Sequence, residues 1–230
     1  MDQALAAAKK NGAKMLFLQK GVHVVGERGC FVQCDGSDDR WINKDMYAEI
    51  DFSVAVMGEG AGVTIVEGGF KITGRKRDHV KFEAMTVQNP EGAGLWGNEG
   101  ASFDATGLTI DGCGGRGVIA YYTQGTLTDC CVANCGQSGI LSAGNGVIRL
   151  CGEKTEVTGN NTDGNSNYYG LEAHFSSSKI ILRAPLTKES VSHDNYNGQN
   201  WGGSGTIEIT GVVPAPLKLK PPPPPQVLVL

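Results

Sequence analysis

The chain has no run of apolar residues long enough to cross a bilayer as a helix, and its opening stretch, Met1 to Gly12, lacks the apolar core of a signal peptide. The expectation is a chain that neither spans a membrane nor is secreted, which weakly favours an intracellular place. Charge is scarce, at 19% of residues, and the net value of -4 is modest. Basic residues form no stripe beyond Arg75-Lys76-Arg77, so nucleic acid is excluded as the expected partner, and the triplet reads as a solvated turn. Cys30 and Cys34 have no matching Cys or His pair at zinc spacing, so no metal site is expected. Between its turns the chain shows no 3.6-residue hydrophobic period, which excludes helical repeats. The fixed Leu and Asn spacing of leucine-rich repeats is also missing.

What is present is a repeat. Met85-Thr86-Val87 precedes Gly94-Leu95, Leu108-Thr109-Ile110 precedes Gly117-Val118, and Cys130-Cys131-Val132 precedes Gly139-Ile140. Thr155-Glu156-Val157 with Gly170-Leu171 follows the same plan more loosely. The anchors Val87, Ile110, Val132 and Val157 are 23, 22 and 25 residues apart. Short alternating segments bounded by Gly, Asn and Asp turns, recurring at such a period, predict a parallel β-helix with one coil per repeat. Alternation points Met85 and Val87, Leu108 and Ile110, and Cys130 and Val132 inward, where equal positions stack into ladders. The 34 glycines suit a chain that turns often.

Cys113 and Cys135 each follow their anchor by three residues and should stack on adjacent coils. They read as reduced ladder residues, with a disulfide between them as the alternative. Asp2 to Gly12, with an early acid, helix formers, late lysines and a stop glycine, predicts a short helix capping the first coil. Met15-Leu16-Phe17-Leu18 predicts the first strand, and Lys20-Gly21-Val22-His23 the turn after it. The β-helix is expected to occupy residues 1–211 and to stop near Thr210. Pro214-Ala215-Pro216 and the run Pro221 to Pro225 cannot join a ladder, so 212–230 reads as a proline-rich tail or linker, with a ligand for a polyproline-binding partner at Pro221–Pro225 as the alternative. Gln226-Val227-Leu228-Val229-Leu230 has strand character again.

The Ala-rich helix, the strand Met15 to Leu18, the segment Lys20 to His23 and the stretch Val56-Met57-Gly58-Glu59-Gly60-Ala61-Gly62-Val63-Thr64-Ile65 together resemble the opening of the pectin lyase-like right-handed parallel β-helix superfamily. The likeness covers roughly residues 3 to 210. It implies an all-β, right-handed parallel β-helix with a short N-terminal capping helix. It does not select an activity, since such folds host lyases, hydrolases, epimerases and noncatalytic modules. The residue patterns of the catalytic members are wanting. The lone Asp-Asp pair, Asp38-Asp39, precedes the regular coils, and Asp104, Asp111, Asp129 and Asp163 share no evident row that could hold calcium. Arg116, beside the Gly117 turn, is a candidate lyase base, with turn capping as its plainer role.

Surface geometry then supplies the candidate site. Alternation after each repeat glycine turns Trp96, Ile119, Leu141 and Glu172 outward, and two residues on come Asn98, Tyr121, Ala143 and His174. Trp96, Asn98, Tyr121, Glu172 and His174 are therefore the expected ligand-binding residues, for a polysaccharide or a protein segment laid along the face. An apolar row of this kind is also explained by the chain covering it. If chemistry occurs there, Glu172 serves as base or nucleophile and His174 as acid, with Arg116 as a third candidate. The function expected is noncatalytic recognition of a glycan or protein, with a polysaccharide-active enzyme as the alternative. No cofactor is demanded, although calcium would suit the enzymatic reading. Asn160-Asn161-Thr162 fits a glycosylation acceptor, and the Asn-rich segments 159–169 and 193–200 read as turn chemistry, the first of them a protruding loop. Thr86 and Thr109 begin an outward threonine row that Cys131 and Glu156 interrupt, so an ice-binding lattice is not expected.

Overall fold

Each coil is built from three short β segments separated by sharp corners, and seven coils stack in the computed structural model, which describes residues 1–26 and 46–211. The first coil holds β1 (Met15–Phe17), β2 (Gly21–Val24) and β3 (Tyr47–Ile50), and the second β4 (Val54–Met57), β5 (Thr64–Glu67) and β6 (Gly69–Ile72). The third holds β7 (His79–Glu83), β8 (Thr86–Gln88) and β9 (Leu95–Asn98), and the fourth β10 (Ser102–Thr106), β11 (Thr109–Asp111) and β12 (Val118–Tyr121). The fifth and sixth hold β13 (Gln124–Thr128), β14 (Cys131–Ala133), β15 (Ile140–Ala143), β16 (Val147–Cys151), β17 (Glu156–Thr158) and β18 (Leu171–Ala173). The seventh holds β19 (Lys179–Arg183), β20 (Ser192–His193) and β21 (Trp201–Gly202), and β22 (Thr206–Thr210) ends the stack. Every third strand pairs in parallel, giving sheet A of eight strands from β1 to β22, sheet B of seven from β2 to β20, and sheet C of seven from β3 to β21.

The expected alternation is what the fold uses. Met85, Val87, Leu108, Ile110, Cys130 and Val132 are all buried. Val66, Val87, Ile110, Val132 and Val157 form one continuous row on sheet B. At three corners between sheets A and B the chain turns on one residue in the left-handed region, Ala84, Gly107 or Asp129, while Gly152, also left-handed, opens the longer turn 152–155. Such a residue reverses the side-chain direction without lengthening the coil.

The repeat glycines have a different reason. Gly94, Gly117 and Gly139 have no left-handed φ, but a Cβ on each would lie 2.7, 2.3 and 2.7 Å from Ile110, Val132 and Val157, the sheet-B anchors of the next coil. Gly170 meets Ser192 in the same way, at 2.2 Å. The glycine before β9, β12, β15 and β18 is thus set by close approach across the coil corner.

Beside it runs an internal ladder of Asn89, Cys113, Cys135, Asn160 and Asn195, all buried. Asn160 Oδ1 accepts the Cys135 N–H at 3.1 Å, and Asn195 Oδ1 accepts the Asn160 N–H at 3.0 Å. Cys113 and Cys135 are stacked free thiols; their mutual hydrogen bond pushes the Cys135 thiol up and lowers that of Cys113. Asn160, which opens the pattern that fits a glycosylation acceptor, is a buried ladder residue whose amide also donates to Val132 and Thr158 carbonyls.

Helix α1 (Asp2–Lys10) lies over the first coil and buries Leu5 and Ala8, with Leu5 joining the core beside Leu18 and Val25. The segment read as a turn at Lys20–His23 is strand β2, because Gly21–Val24 pairs with Thr64–Glu67 and the actual corner falls at Leu18–Lys20. Cys30, Cys34, Asp38-Asp39 and the proline-rich 212–230 lie outside the described residues. No described helix is long and apolar enough to cross a membrane.

Candidate functional site

Sheet C carries the candidate face, and strand register places its residues in two outward rows. Trp96, Ile119, Leu141, Glu172 and Gly202 form the first, and Asn98, Tyr121 and Ala143 the second, with His174 just beyond β18. The rows follow the alternation read from the repeat. What covers them differs from coil to coil.

Trp96 is partly buried. The Tyr47 ring meets it edge-on at 5.6 Å, and the Lys71 ammonium lies 5.1 Å from its ring centre. Tyr47 is itself fixed, accepting the Ala93 N–H at 2.7 Å, and burial pushes its phenol pKa up. Leu141 is almost completely covered.

Glu172 requires a correction. Its side chain leaves the sheet outward as expected, yet it is only 4% exposed. The turn preceding β15 brings Ser138 over it, and the Ser138 hydroxyl donates to Glu172 Oε2 at 2.5 Å while accepting the Tyr169 N–H at 3.1 Å. Tyr169 in turn packs against Gly202, the next position in the row. The long segment read as a protruding loop therefore folds down at its end and closes the edge of the sheet. Glu172 Oε1 holds His174 Nδ1 at 2.9 Å, so both carboxylate oxygens are engaged. His174 is half exposed and packs edge-on against Phe175 at 4.4 Å.

Arg116 does not join this pair. It lies in the turn before β12, on the strand edge away from His174, where its guanidinium stacks on the Tyr168 ring at 5.2 Å. The four aspartates considered for calcium are also scattered. Asp104 bonds His79, Asp111 accepts from Asn134, Asp129 accepts from the Lys154 amide, and Asp163 lies in the loop over Gly136. Among the described residues no group of three or more His, Cys, Asp or Glu side chains could hold a metal ion.

The most accessible part of the face is a set of aromatics that the sequence reading named only in part. Tyr121 and Tyr122 meet edge-on at 4.6 Å on the fourth coil, and His174 and Phe175 repeat that geometry on the sixth. Tyr122 and Phe175 are about half exposed. Between them the fifth coil offers only Ala143 and Gly144, and a Cβ at Gly144 would lie 2.6 Å from the Tyr122 ring. Local desolvation and the neighbouring Tyr122 raise the Tyr121 phenol above its ordinary value, so it presents a neutral hydroxyl. The missed signal was that Tyr122 and Phe175 each follow a residue already placed on the face, at the corner where the strand ends.

A stack of three parallel sheets with one partly aromatic face defines a parallel β-solenoid protein. A family model described as the right handed beta helix region matches residues 20–184, and the chain belongs to that family. Searches of curated proteins and of solved structures returned no match.

Proposed function

We propose that this β-helix is a noncatalytic recognition module that binds a glycan along the outer face of sheet C. The observation that carries the reading is the repeated aromatic pair, Tyr121–Tyr122 and His174–Phe175, flanking the low step at Ala143–Gly144. Coils rise about 4.8 Å each, so the two pairs stand about 10 Å apart along the axis. Exposed rings with polar edges at such a spacing suit an extended ligand with alternating apolar and hydroxylated surfaces. Asn98 extends the same row with an amide that can donate and accept. Trp96, held by Tyr47 and Lys71, forms the wall of the face rather than its open floor.

Glu172 supports recognition over chemistry. A carboxylate that is buried and engaged at both oxygens positions His174 and is poorly placed to attack a sugar or take a proton from one. The same contact favours a second reading, a polysaccharide-active enzyme, because Glu172 fixes one nitrogen of His174 and leaves the half-exposed ring able to act as a general acid. A protein segment as ligand is the third outcome the test resolves.

The test is retention of the purified chain on immobilised acidic and neutral polysaccharides, with and without calcium, while new unsaturated or reducing ends are followed. Retention without new ends is expected, and Tyr122→Ala or Phe175→Ala should weaken it about tenfold, the worth of burying one aromatic ring. New ends that vanish in Glu172→Gln and His174→Ala would establish the enzyme instead. No retention by any polysaccharide would turn the reading to a protein ligand.

A further inference from the structure

A second site lies away from the aromatic face, at the corner leading from sheet C to sheet A in the second coil. A cleft of about 390 Å³ is lined there by Lys9 of α1, by Asp51 and Phe52 after β3, and by Thr73, Gly74, Arg75, Arg77 and Asp78 before β7. The chain as a whole is acidic, yet this cleft gathers three cationic side chains.

Its two acids are already satisfied internally. Asp51 pairs with Lys9. Asp78 accepts the Ser53 hydroxyl at 3.1 Å on one oxygen and the Arg75 N–H at 2.8 Å on the other. Among the described residues neither acid bonds the guanidinium of Arg75 or Arg77, and both arginines are exposed.

The turn that presents them is not a loose one. The Asp78 N–H donates to the Arg75 carbonyl at 2.8 Å, closing the turn that the Asp78 side chain also caps. Ser53 fastens its base, accepting the His79 N–H at 3.2 Å while donating to Asp78. Gly74 is clamped from the next coil, whose Ala101 N–H donates to its carbonyl at 2.9 Å. Gly100 leaves no room there either, since a Cβ on it would lie 2.1 Å from the same oxygen. The triplet is a solvated turn as expected, but one whose backbone is braced beside a cleft that Phe52 also lines.

We infer that this cleft binds a ligand through a single oxyanion group, a carboxylate, sulfate or phosphate, held by Arg75 and Arg77. Planar guanidiniums match such groups with paired N–H donors, and the braced backbone of the turn fixes the spacing from which the two side chains reach. Lys9 neutralises Asp51 and so keeps it from competing for the arginines. The site is independent of the glycan reading: it lies on other coils and would serve any small or polymer-borne anion that fits the cleft.

The experiment is a calorimetric titration of the full chain at fixed ionic strength with inorganic sulfate, inorganic phosphate, acetate and glucuronate, and with glucose as the uncharged control. Saturable one-to-one binding of at least one anion and none of glucose is expected. Preference for sulfate and phosphate would identify a tetrahedral oxyanion, and preference for acetate and glucuronate a carboxylate. R75Q and R77Q should each weaken binding about tenfold, the worth of one charge-assisted hydrogen bond. K76Q removes the same charge from the middle of the turn but not from the cleft lining, and should change affinity less than twofold. R77K keeps the charge and loses the fork, so it should fall close to R77Q. All these positions are exposed, and thermal unfolding should be unchanged in each variant. The proposal fails if no anion saturates the wild-type chain. It fails equally if K76Q weakens binding as much as R75Q, or if R77K binds like the wild type, because either result would describe diffuse charge rather than a built site.

Discussion

Phe103 shows how the core admits one oversized ring. Its row on sheet A runs Val80, Phe103, Gly125, Ile148. A Cβ on Gly125 would lie 2.3 Å from the ring, and one on Gly97 across the coil 2.8 Å from it. Neither glycine has a left-handed φ, so what the position requires is empty volume. Gly125→Ala should therefore lower unfolding free energy by about 1–3 kcal/mol, the usual cost of overpacking, as read by urea denaturation. In the Phe103→Leu background the same substitution should cost less, and simple additivity of the two changes would show that the ring is not the obstacle. Cys130 supplies a second residue-scale effect. Burial pushes its thiol from 9.0 up to about 11. The folded chain then binds this proton more tightly than the unfolded chain does. Stability from this source is complete below about pH 9 and is lost as pH rises toward 11, by about 2–3 kcal/mol in all. Unfolding free energies measured from pH 8 to 11 should fall less steeply in Cys130→Ala than in the wild type. Burial raises Tyr47 too, so some slope should remain in the variant.

At the scale of the element, the corner between sheets B and C joins coil to coil. Its ladder converts backbone groups that no strand pairs into partners for the next coil, and Asn160, within the stack, links to Cys135, Val132, Thr158 and Asn195. Asn160→Leu fills a similar volume but leaves several buried groups unpaired, each costing about 1–3 kcal/mol. A loss of about 3 kcal/mol or more is expected, with the Cys135 amide exchanging its hydrogen faster than the Val118 amide one coil earlier. A loss below about 1 kcal/mol would mean that water replaces the amide. The ladder was half legible in the sequence. The equal offset of Cys113 and Cys135 from their anchors placed them together, since a coil repeats its inward positions, but Asn89, Asn160 and Asn195 looked like ordinary turn residues. The face of sheet C divides in the same way. Strand alternation sufficed to turn Trp96 and Glu172 outward. It could not show that Tyr47, 49 residues before Trp96, packs on its ring, or that Ser138 and Tyr169 close over Glu172, because those covers come from other turns. Likewise Lys20–His23 read as a turn, the strand character of Gly21–Val24 depending on pairing with a segment some forty residues on.

For the whole molecule, a stack in which each coil touches chiefly its neighbours has a stability close to a sum of coil terms and interface terms, so damage at one end should stay there. Helix α1 provides the test. Its Leu5 side chain is buried in the core cluster at the open face of the first coil, and Asp2 and Lys9 fasten the helix to Gly26 and Asp51. Leu5→Asp forces either burial of an unpaired charge or release of the helix, and release exposes the first rung to water. Amide hydrogen exchange should then quicken at least tenfold in β1 and β4, while protection in β13, β16 and β19 changes less than threefold. The anion cleft, which Lys9 lines, should weaken together with β1 and β4, whereas the aromatic face on the fourth to sixth coils should keep its ligand. Protection lost equally across every strand would instead describe one all-or-none core, and would remove the basis for treating the cleft and the aromatic face as separable sites on one scaffold.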